Sequence, residues 1–485
     1  MTTPPREEAR RVSPITPVLN AWKVATALVA FAVWQGRDIV MEENLPLLTV
    51  GMIFLGVVFL SALVSLTYNY FAWRRLSYGF DAESIYVHSG ILFRSQRHVR
   101  LDRIQSVDLN RPLLARVFGF VSLQVTSAGS GQDNLVIAYV RDDEAGRLRN
   151  EILARAAGLG SGEEQAPAPG APERELLRIT PGRIAGSLIR FLWFLFGIAL
   201  TVGLIAAAII TGEPSIVVPI LLPILAQVTF WWQHLNQQFD FAVATSPDGI
   251  RLRYGLLSTT ARTVPPGRVQ ALQFTQPLLW RRKNWWRITL TVAGEGVSVE
   301  GGEPTLYPVA TQEEATHLLS LILPDLGVED PLELIDLSLR GRGRAGGFVT
   351  SPQRARWIVP PVWRRTGYTA TSAATIIRRG RLTRRSVIVP NARIQSLGAE
   401  QGPIERALRL ANVAVHTTPG SIAPVVPHLD LVDARRFIHA ASKRARASRR
   451  SAGPERWMER PAPPPDPPAA ASPPPVDAEE TRRDS

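Results

Sequence analysis

The stretch RIQSVDLNRPLLAR, residues 103–116, occurs three times in the chain in related forms. RVQALQFTQPLLWR occupies residues 268–281, and RIQSLGAEQGPIER occupies residues 393–406. Each copy is 14 residues long, begins with Arg, Ile or Val, and Gln, and ends with Arg. A recurrence of this kind indicates a repeated structural unit. Three copies in 485 residues predict three domains of related fold.

The residues around each copy predict the same local structure in all three domains. A glycine lies 13 residues before each copy, between two strand-like runs; these glycines are Gly90, Gly255 and Gly380. Glycine at such a place predicts a hairpin turn, because a positive φ costs glycine little. A proline within each copy predicts the first position of a short helical turn that ends at an arginine. The prolines are Pro112, Pro277 and Pro403, and the arginines are Arg116, Arg281 and Arg406.

Each copy continues into another strand and then an amphipathic helix, such as FVSLQVTSAG followed by DDEAGRLRNEILARAA in the first domain. Several short antiparallel strands with one terminal helix predict a small, strongly bent sheet or barrel capped by that helix. The basic segment KRARASRR, residues 443–450, is predicted to follow the third helix. The proline-rich residues beyond it are predicted to be disordered.

Four hydrophobic spans precede or separate the first two domains. Residues 44–73, 191–212 and 214–233 contain no charged side chain. A membrane-spanning helix needs about 20 apolar residues, so these spans predict transmembrane helices. The first span, residues 21–34, contains Lys23, which could snorkel to the interface; the alternative is that this segment lies flat on the membrane. The first two spans predict one helical hairpin, and the last two predict a second.

The distribution of positive charge predicts the orientation of these spans. Arginines precede the first and third spans and follow the second, whereas the two short connections contain one arginine and several acids. By the positive-inside rule, both hairpin tips face outward, and the domains and both termini face the cytoplasm. No small-residue cleavage site is obvious after Trp34, so the N-terminus is interpreted as a signal anchor.

Together these motifs resemble the bacterial pleckstrin-homology-like (PH-like) membrane proteins of the YdbS-like and YdbT-like group. The resemblance rests on the glycine turn, the Arg-Ile-Gln start and the Pro-Leu-Leu-x-Arg end, and it covers most of residues 17–445. The third copy lacks the Pro-Leu-Leu core, and a segment rich in Gly and Arg precedes it in place of a hairpin. The resemblance implies a PH fold and attachment to a membrane, and it implies no defined biochemical activity.

The expected fold class is membrane α-helical hairpins plus β-domains, namely three PH-like bent sheets or barrels, each capped by a C-terminal helix. The predicted organisation is a cytoplasmic tail (1–16), transmembrane hairpin 1 (17–73), PH-like domain 1 (74–157), a Gly/Pro/Glu linker (158–177), transmembrane hairpin 2 (178–233), PH-like domain 2 (234–325), a linker (326–355), PH-like domain 3 (356–445) and a basic, then proline-rich, disordered tail (446–485).

Two roles are open for the residues that recur. The Arg and Gln at the start of each copy are architectural if they satisfy backbone carbonyls at a sheet corner. They are functional if they line a shared ligand or partner surface. The recurring residues are Gly90, Arg103, Gln105, Pro112 and Arg116 in the first copy, Gly255, Arg268, Gln270, Pro277 and Arg281 in the second, and Gly380, Arg393, Gln395, Pro403 and Arg406 in the third.

The C-terminal third of the chain is strongly basic. Residues 340–450 contain 22 Arg or Lys and 4 Asp or Glu, a balance of +18 against +13 for the whole chain. Such a field favours anionic partners, and each basic residue near a bilayer contributes about 1 kcal/mol. The alternative is a solvated charged edge that discourages strand aggregation. The candidate contacts to anionic lipid are Arg378, Arg379, Arg381, Arg384, Arg385, Lys443 and Arg444.

Composition and motifs argue against an enzyme. The chain has no cysteine, and its seven histidines are scattered singly, which disfavours a metal site. GRGRAG at residues 341–346 fits G-x-G-x-x-G but lacks the strand and helix of a dinucleotide-binding unit, so a flexible basic linker is predicted there. No close pair of carboxylates indicates acid–base chemistry. We therefore expect no catalytic residue, cofactor or metal.

The sequence predicts a non-catalytic, multi-pass protein of the bacterial cytoplasmic membrane, whose three PH-like domains form a lipid- or protein-binding scaffold or sensor on the cytoplasmic face. The resemblance suggests a role in envelope maintenance or in resistance to membrane-targeting agents. The alternative is an accessory subunit or small permease in transport, which the scarcity of ionisable residues within the spans disfavours.

The expected partners are the membrane itself, anionic lipid headgroups, and another PH-like membrane protein or a second copy of the chain. Nucleic acid is not expected, because the basic third lacks the interleaved aromatic residues of a stacking platform. The sequence identifies neither the ligand nor the physiological signal, and it leaves the oligomeric state open.

Overall fold

Three domains of the same fold follow one another along the chain in the computed structural model, which describes residues 10–11, 47–81, 84–90, 95–127, 135–156, 174–212, 217–246, 249–293 and 304–451. Each domain has four antiparallel strands, then three more antiparallel strands, and ends in a helix. The predicted PH-like fold, a small bent β-structure capped by a C-terminal helix, is therefore present three times.

The strands of the first domain are β1 (Arg10–Arg11), β2 (Ser77–Phe80), β3 (Ser84–Ser89), β4 (Ser95–Arg100), β5 (Ile104–Arg111), β6 (Phe120–Ser127) and β7 (Leu135–Arg141). Those of the second are β8 (Arg174–Arg178), β9 (Ala242–Ser246), β10 (Gly249–Tyr254), β11 (Thr259–Val264), β12 (Val269–Gln276), β13 (Trp286–Val292) and β14 (Thr305–Ala310). Those of the third are β15 (Val349–Thr350), β16 (Gly367–Ala370), β17 (Ala374–Arg379), β18 (Arg384–Pro390), β19 (Ser396–Glu400), β20 (Leu410–His416) and β21 (Val425–Asp430).

The helices are α1 (Leu47–Arg74), α2 (Leu113–Val117), α3 (Asp142–Ala156), α4 (Pro181–Ile189), α5 (Leu192–Thr211), α6 (Val217–Gln238), α7 (Gln312–Ile322), α8 (Pro331–Leu339), α9 (Pro403–Ala407) and α10 (Leu431–Ser451). Helices α3, α7 and α10 end the three domains. Short 3₁₀ turns join the two strand groups of each domain; they are Leu101–Arg103, Pro266–Arg268 and Asn391–Arg393.

Two described helices are long and apolar enough to cross a membrane, through Leu55–Arg74 of α1 and Leu192–Thr211, which is α5. Helix α6 packs beside α5, as the second hairpin predicts, and contains Pro223. The first predicted span, residues 21–34, lies outside the described residues.

The long helices are inserted at one place in the fold, between the first and second strands of a domain. Helix α1 lies between β1 and β2, and helices α4, α5 and α6 lie between β8 and β9. In the third domain the same place, between β15 and β16, is occupied by residues 351–366. At one end of each domain the first strand finishes and the second strand starts. We call this end the helix end.

Each domain has its own apolar core, because the strands alternate inward apolar residues with outward polar ones. In β6, for example, Val121, Leu123 and Val125 are buried and their neighbours are less so. Burial of one such side chain contributes about 1.5–3 kcal/mol. The second core continues into the third domain through Ile376 and Ile388.

Neighbouring domains are joined by continuous β-sheet. Strand β5 of the first domain pairs antiparallel with β11 of the second, and β12 of the second pairs antiparallel with β18 of the third. Two seven-stranded sheets result, with orders β7-β6-β5-β11-β10-β9-β8 and β14-β13-β12-β18-β17-β16-β15. The three domains therefore form one array and are not separate units joined by flexible linkers.

The two junctions have the same register. Equivalent positions differ by 165 between the first and second domains and by 290 between the first and third, as Arg103, Arg268 and Arg393 define. Thr259 pairs with Arg111 at the first junction, and Arg384 pairs with Gln276 at the second. Thr259 is equivalent to Arg384, and Arg111 is equivalent to Gln276. The two junctions therefore use the same mode of docking.

Four predicted features differ from the structure. The segment predicted as a linker, residues 326–355, contains α8, whose Leu334, Ile335 and Leu339 are buried against the sheet, so it is a packed part of the array. The basic segment at 443–450 lies within α10, not after it. At the boundary between the predicted 158–177 linker and hairpin 2, the chain forms strand β8 and then the amphipathic helix α4. Pro112 and Pro277 precede their helical turns, whereas Pro403 takes the predicted first helical position.

Replacing Gly380 by alanine is expected to destabilise the fold by about 1–3 kcal/mol, the range for a residue forced into a sparsely populated backbone conformation. Gly380 has a φ of 86°, and an added Cβ would lie 1.9 Å from the Thr383 carbonyl oxygen. Gly182→Ala is the control, because nothing lies within 4 Å of its added Cβ. Denaturant unfolding in micelles measures both, and equal midpoints would contradict the expectation.

Candidate functional site at the helix end of the array

The glycine turns lie at the helix end, and the Gly255 turn touches the base of helix α6. Gly255 donates its backbone N–H to the Phe239 carbonyl at 2.8 Å, just after α6. Leu256 donates to the Asn236 carbonyl at 3.0 Å, and Leu257 donates to Asn236 Oδ1 at 2.8 Å. The positive φ predicted for Gly90, Gly255 and Gly380 is confirmed, at 103°, 121° and 86°.

Exposed apolar side chains gather at the same end. Ten large hydrophobic residues described outside α1, α5 and α6 are exposed, and only two of them, Val136 and Leu332, lie elsewhere. The eight at the helix end are Val117, Phe118, Ile189, Leu278, Trp357, Leu382, Ile404 and Val432. They come from all three domains. Where exposed apolar groups form a patch, they mark a surface that meets another apolar phase or partner.

The third domain has a Trp- and Arg-containing loop, residues 351–366, where the other two domains have long helices. Trp357 is 75% exposed, and the Arg356 guanidinium lies 5.3 Å from its ring centroid. Arg364 lies over the Trp363 ring at 5.2 Å. Arg354 anchors the loop by donating to the Leu408 carbonyl at 2.7 Å and pairing with Asp430. Amphipathic rings and arginines are the residues enriched where a protein meets the lipid headgroups.

An arginine cluster lies beside this loop, at the second junction. Arg281 donates through Nη2 to the Leu382 carbonyl at 3.0 Å, and Arg384 donates through Nη1 to Gln276 Oε1 at 3.1 Å. Partial burial, followed by the charges of Arg384, Arg342 and Arg381, lowers the pKa of Arg281. Every one of these charges is positive. A group of cations that repel one another at a partly exposed place favours an anionic ligand.

Two further arginines of this cluster are buried and structural. Arg365 donates to the carbonyls of Ser338 at 3.2 Å, Leu339 at 2.5 Å and Gly341 at 2.8 Å, which satisfies the C-terminal end of α8. Arg378 donates to the Leu337 carbonyl at 2.9 Å and to that of Gly343. Burial and neighbouring arginines lower the pKa of Arg365 to about 9, and burial lowers that of Arg378 to about 10.

The prediction that Arg378 contacts lipid is therefore wrong. Its side chain is completely buried, with its guanidinium 3.7 Å from the centroid of the Phe348 ring. Of the other candidates, Arg381 and Arg385 are exposed, while Arg379 and Arg384 are partly buried. The Gly380 turn thus presents fewer free arginines than the sequence indicates.

Lys443 and Arg444 lie far from the Gly380 turn. Helix α10 begins at the helix end, where Leu431 donates its N–H to the Arg409 carbonyl, and ends where Arg449 donates to the Ile394 carbonyl. At 1.5 Å per residue, Lys443 lies about 18 Å along the helix from its start. Lys443 is exposed and Arg444 partly buried, and the two do not share a surface with the Gly380 turn.

A second concave surface lies at the first junction, where a cleft of about 570 Å³ is lined by residues of both domains. Six arginines and three acids line it: Arg111, Arg116, Arg149, Arg178, Arg251, Arg253, Asp142, Glu175 and Asp240. Arg111 pairs with Asp142 at 2.6 Å, and Arg178 pairs with Asp240 at 2.5 Å. Because acids compensate much of this charge, the cleft is a weaker anion site than the arginine cluster at the second junction.

Arginines of the 14-residue repeat reach across both domain junctions. We call Arg103, Arg268 and Arg393 the opening arginines and Arg116, Arg281 and Arg406 the closing arginines. Closing Arg116 reaches forward to the Leu256 carbonyl at 3.5 Å, as Arg281 reaches forward to that of Leu382. Opening Arg393 reaches back to the Gly267 carbonyl in the preceding domain. Arg116, Arg281 and Arg393 therefore bind backbone carbonyls, and these carbonyls belong to the neighbouring domain.

The other recurring residues lie in the backbone frame of each repeat. Gln270 is buried and donates to the Arg268 carbonyl at 3.2 Å, whereas Gln395 at the end of the array is exposed. Gln105 lies in β5, and its side chain is outside the described part. The Pro112 carbonyl accepts from the Arg116 N–H, so this proline begins the turn that its closing arginine completes. Among the described residues, no group of three His, Asp or Glu side chains could hold a metal ion.

The sequence reasoning missed the 351–366 loop, which carries Arg356, Trp357 and Arg364. Its signal was available in RARWIVPPVWRR, a short run with two tryptophans between paired arginines. The run is too short to span a bilayer. Its significance depends on the position between β15 and β16, and the two-residue strand β15 is not recognisable in the sequence.

Comparison with known proteins agrees with this architecture. The family model "Bacterial PH domain" matches the chain three times, over residues 24–156, 189–324 and 355–445. A relative in Bacillus subtilis, the UPF0699 transmembrane protein YdbT, is 19% identical over 356 residues, which cover 67% of this chain and 71% of the relative. Each of the three matched segments contains one copy of the 14-residue repeat, and the first two also contain the long apolar helices.

Proposed function

Because the chain belongs to the bacterial PH domain family, we propose that it is a non-catalytic membrane scaffold whose array of PH-like domains sits on the lipid surface through its helix end. Its name marks the Bacillus relative as a transmembrane protein, and two helices here have the length and composition to span a bilayer. The observation that carries the proposal is the collection of eight exposed apolar side chains at the end from which these helices leave.

The helix end gives the third domain its own attachment. This domain has no apolar helix between its first two strands, β15 and β16, and the loop with Trp357 takes that place. Leu382, on the Gly380 turn, and Ile404, on α9, are exposed beside it. Exposed arginines surround these apolar groups, and each contributes about 1 kcal/mol near anionic headgroups. The third domain is thus held by lipid contact where the first two are held by helices.

The orientation of the array follows from the charge distribution. Arginines flank the long helices on the domain side, so the positive-inside rule places the domains on the cytoplasmic face of the bacterial cytoplasmic membrane. A pair of spans inserted in each of the first two domains brings both termini to that face as well. The scaffold then presents the ends opposite the membrane to the cytoplasm, and its role in envelope maintenance is an expectation by family likeness.

A single-cysteine probe tests the lipid contact. The chain has no cysteine, so Leu382→Cys carries one attachment site for an environment-sensitive fluorophore. In full-length protein reconstituted in bilayers, we expect blue-shifted emission and quenching by nitroxide-labelled lipids. Val136→Cys is the matched control, since Val136 is an exposed apolar residue away from the helix end. Equal quenching at the two positions would refute the proposed contact between the helix end and the lipid.

The lipid charge provides the second arm of this experiment. Arg356, Arg364 and Arg381 are exposed arginines of the third domain, and their replacement by glutamine removes three charges without opening the core. We expect the emission at position 382 to depend on anionic lipid in the parent and to lose that dependence in the triple variant. If the emission at position 382 is the same in neutral and anionic bilayers, the third domain is attached by apolar contact and headgroup charge does not contribute.

A further inference from the structure

The strand at each end of the array is equivalent to strands that pair with a neighbouring domain at the internal junctions. Strand β4 is equivalent to β11 and β18, which form the two junctions, and strand β19 is equivalent to β5 and β12, their partners. Among the described residues, no strand pairs with the outer edge of β4 or with that of β19. An unpaired edge presents free N–H and C=O groups and is a template for another strand.

The exposure of these two strands differs from that of their paired equivalents. All residues of β4 except Val99 are exposed, whereas most of β18 is buried. Likewise, β19 is exposed or partly exposed throughout, whereas most of β12 is buried. Helix α10 does not block the edge of β19, because α3 packs in the same way on β5 and leaves β5 free to pair.

The arginines that clamp the junctions are also unused at the two ends. Closing Arg406 is exposed, and opening Arg103 is exposed. Within the described part of the chain neither guanidinium has a hydrogen-bond or ion-pair partner, unlike Arg281 and Arg393 at the second junction. Each end therefore has an open strand edge and a free arginine. The equivalent strand edges and arginines form the two internal junctions.

We propose that copies of this chain assemble head to tail, with β19 of one copy paired antiparallel to β4 of the next. The register of the internal junctions sets the contacts: Ser95 opposite Glu400, Gln96 opposite Ala399, and Arg97 opposite Gly398. Arg406, the equivalent of Arg116 and Arg281, then faces the next copy as those two arginines reach the next domain at the internal junctions. Arg103 of that copy donates to the Ala392 carbonyl, the position equivalent to Gly267.

A second copy fits this site better than an unrelated partner, because the complementary strand and clamp are already part of the chain. Glu400 would lie diagonal to Arg97 across the pair, a favourable arrangement of opposite charges. Docking of this kind is heterologous, so it generates a ring or an open filament. The internal junctions keep the long helices of domains 1 and 2 at one end, so repetition of the same docking keeps all copies in one membrane.

Cysteine cross-linking between copies tests the assembly, which does not depend on lipid binding by the third domain. Two differently tagged full-length chains, one with Ser95→Cys and one with Glu400→Cys, are co-expressed and oxidised in isolated membranes. Antiparallel pairs place Cα atoms about 4.5–5.5 Å apart, within the range that a disulfide bridges. We expect a mixed dimer in at least about tenfold excess over Ser95→Cys with Val136→Cys, the factor for a preference of about 1.4 kcal/mol.

An internal pair serves as the positive control. Thr260 and Asn110 occupy the equivalent positions at the first junction and are paired there. Thr260→Cys with Asn110→Cys in one chain should therefore form an intramolecular disulfide under the same oxidant. If that bond forms while the Ser95/Glu400 dimer is no more abundant than the Val136 control, head-to-tail pairing is overturned.

The clamp supplies an independent readout. Arg406→Ala is expected to lower the yield of the mixed dimer about tenfold, the loss for one charge-assisted hydrogen bond. Arg435→Ala, also an exposed arginine of the third domain, should leave the yield unchanged. Equal yields from the two variants would overturn the proposed role of Arg406.

Discussion

Replacing Arg365 by leucine is expected to lower the free energy of unfolding by about 3 kcal/mol. The Arg365 side chain is 5% exposed and donates to three carbonyls at the end of α8. Leucine fills part of the volume but donates no hydrogen bond, so these helix-end carbonyls lose their charged donor. Each unsatisfied buried group costs about 1–3 kcal/mol. Relief of repulsion from the neighbouring arginines offsets part of that loss, which sets the estimate below the sum.

Arg385→Leu is the matched control, because Arg385 belongs to the same basic region and is exposed. A surface substitution of this kind usually changes stability by less than about 0.5 kcal/mol. Denaturant unfolding of the full chain in micelles compares the two variants, and limited proteolysis near residues 340–348 reports the loosening of α8. An Arg365→Leu protein as stable as the control would mean that these carbonyls find other donors.

The repeated part of the fold was predictable because its signals are local. Glycine turns and the amphipathic helices that end the domains depend on residues close together in sequence, and all three copies show them. The three-domain organisation followed from the repeat itself. The long apolar helices could be predicted for the same reason, since length and hydropathy alone determine whether a segment can cross a membrane.

The continuous sheets could not be predicted, because they depend on which strand edges are left open in the folded domains. Strand β12 reads as part of one domain, yet its Leu272 lies opposite Ile388 of the next. The burial of α8 was missed for a related reason. Its Leu334, Ile335 and Leu339 have helical spacing, but the sequence does not show the sheet against which they are buried.

Strand alternation explains why the lipid site was only partly predictable. Successive side chains of a strand point to opposite faces, so the pair Arg378 and Arg379 cannot both be exposed. The sequence shows two equal arginines, and only the position of α8 behind β17 decides that Arg378 is the buried one. The exposed apolar residues were missed because they come from separate turns that the fold brings to one end.

The insertion of helices at one end explains how attachment and array fit together. Sheet pairing joins the domains side by side, and the inserted segments all leave at the same end. A domain can then exchange its long helices for a Trp- and Arg-containing loop without any change in its junction. This separation allows the third domain to keep the clamp through Arg393 while it lacks a membrane span.

Trp280→Ala is expected to destabilise the second domain by about 3–5 kcal/mol, the range for truncating a buried large aromatic side chain. Trp280 is completely buried, and its Nε1–H donates to the Ser187 carbonyl of α4 at 3.1 Å. Its ring meets that of Phe191 edge to face, with centroids 6.0 Å apart, just before α5 begins. The residue thus fastens the base of an apolar helix to the repeat turn.

Loss of this contact should loosen α4 and the start of α5 before the rest of the array. Hydrogen exchange at residues 181–191 measures the local effect, and denaturant unfolding measures the global one. Trp357→Ala is the control of identical chemistry, because Trp357 is exposed and its loss should change stability in micelles by less than about 0.5 kcal/mol. If the two variants unfold at the same denaturant concentration, burial of Trp280 does not hold the helix base, and the attachment must come from α4 alone.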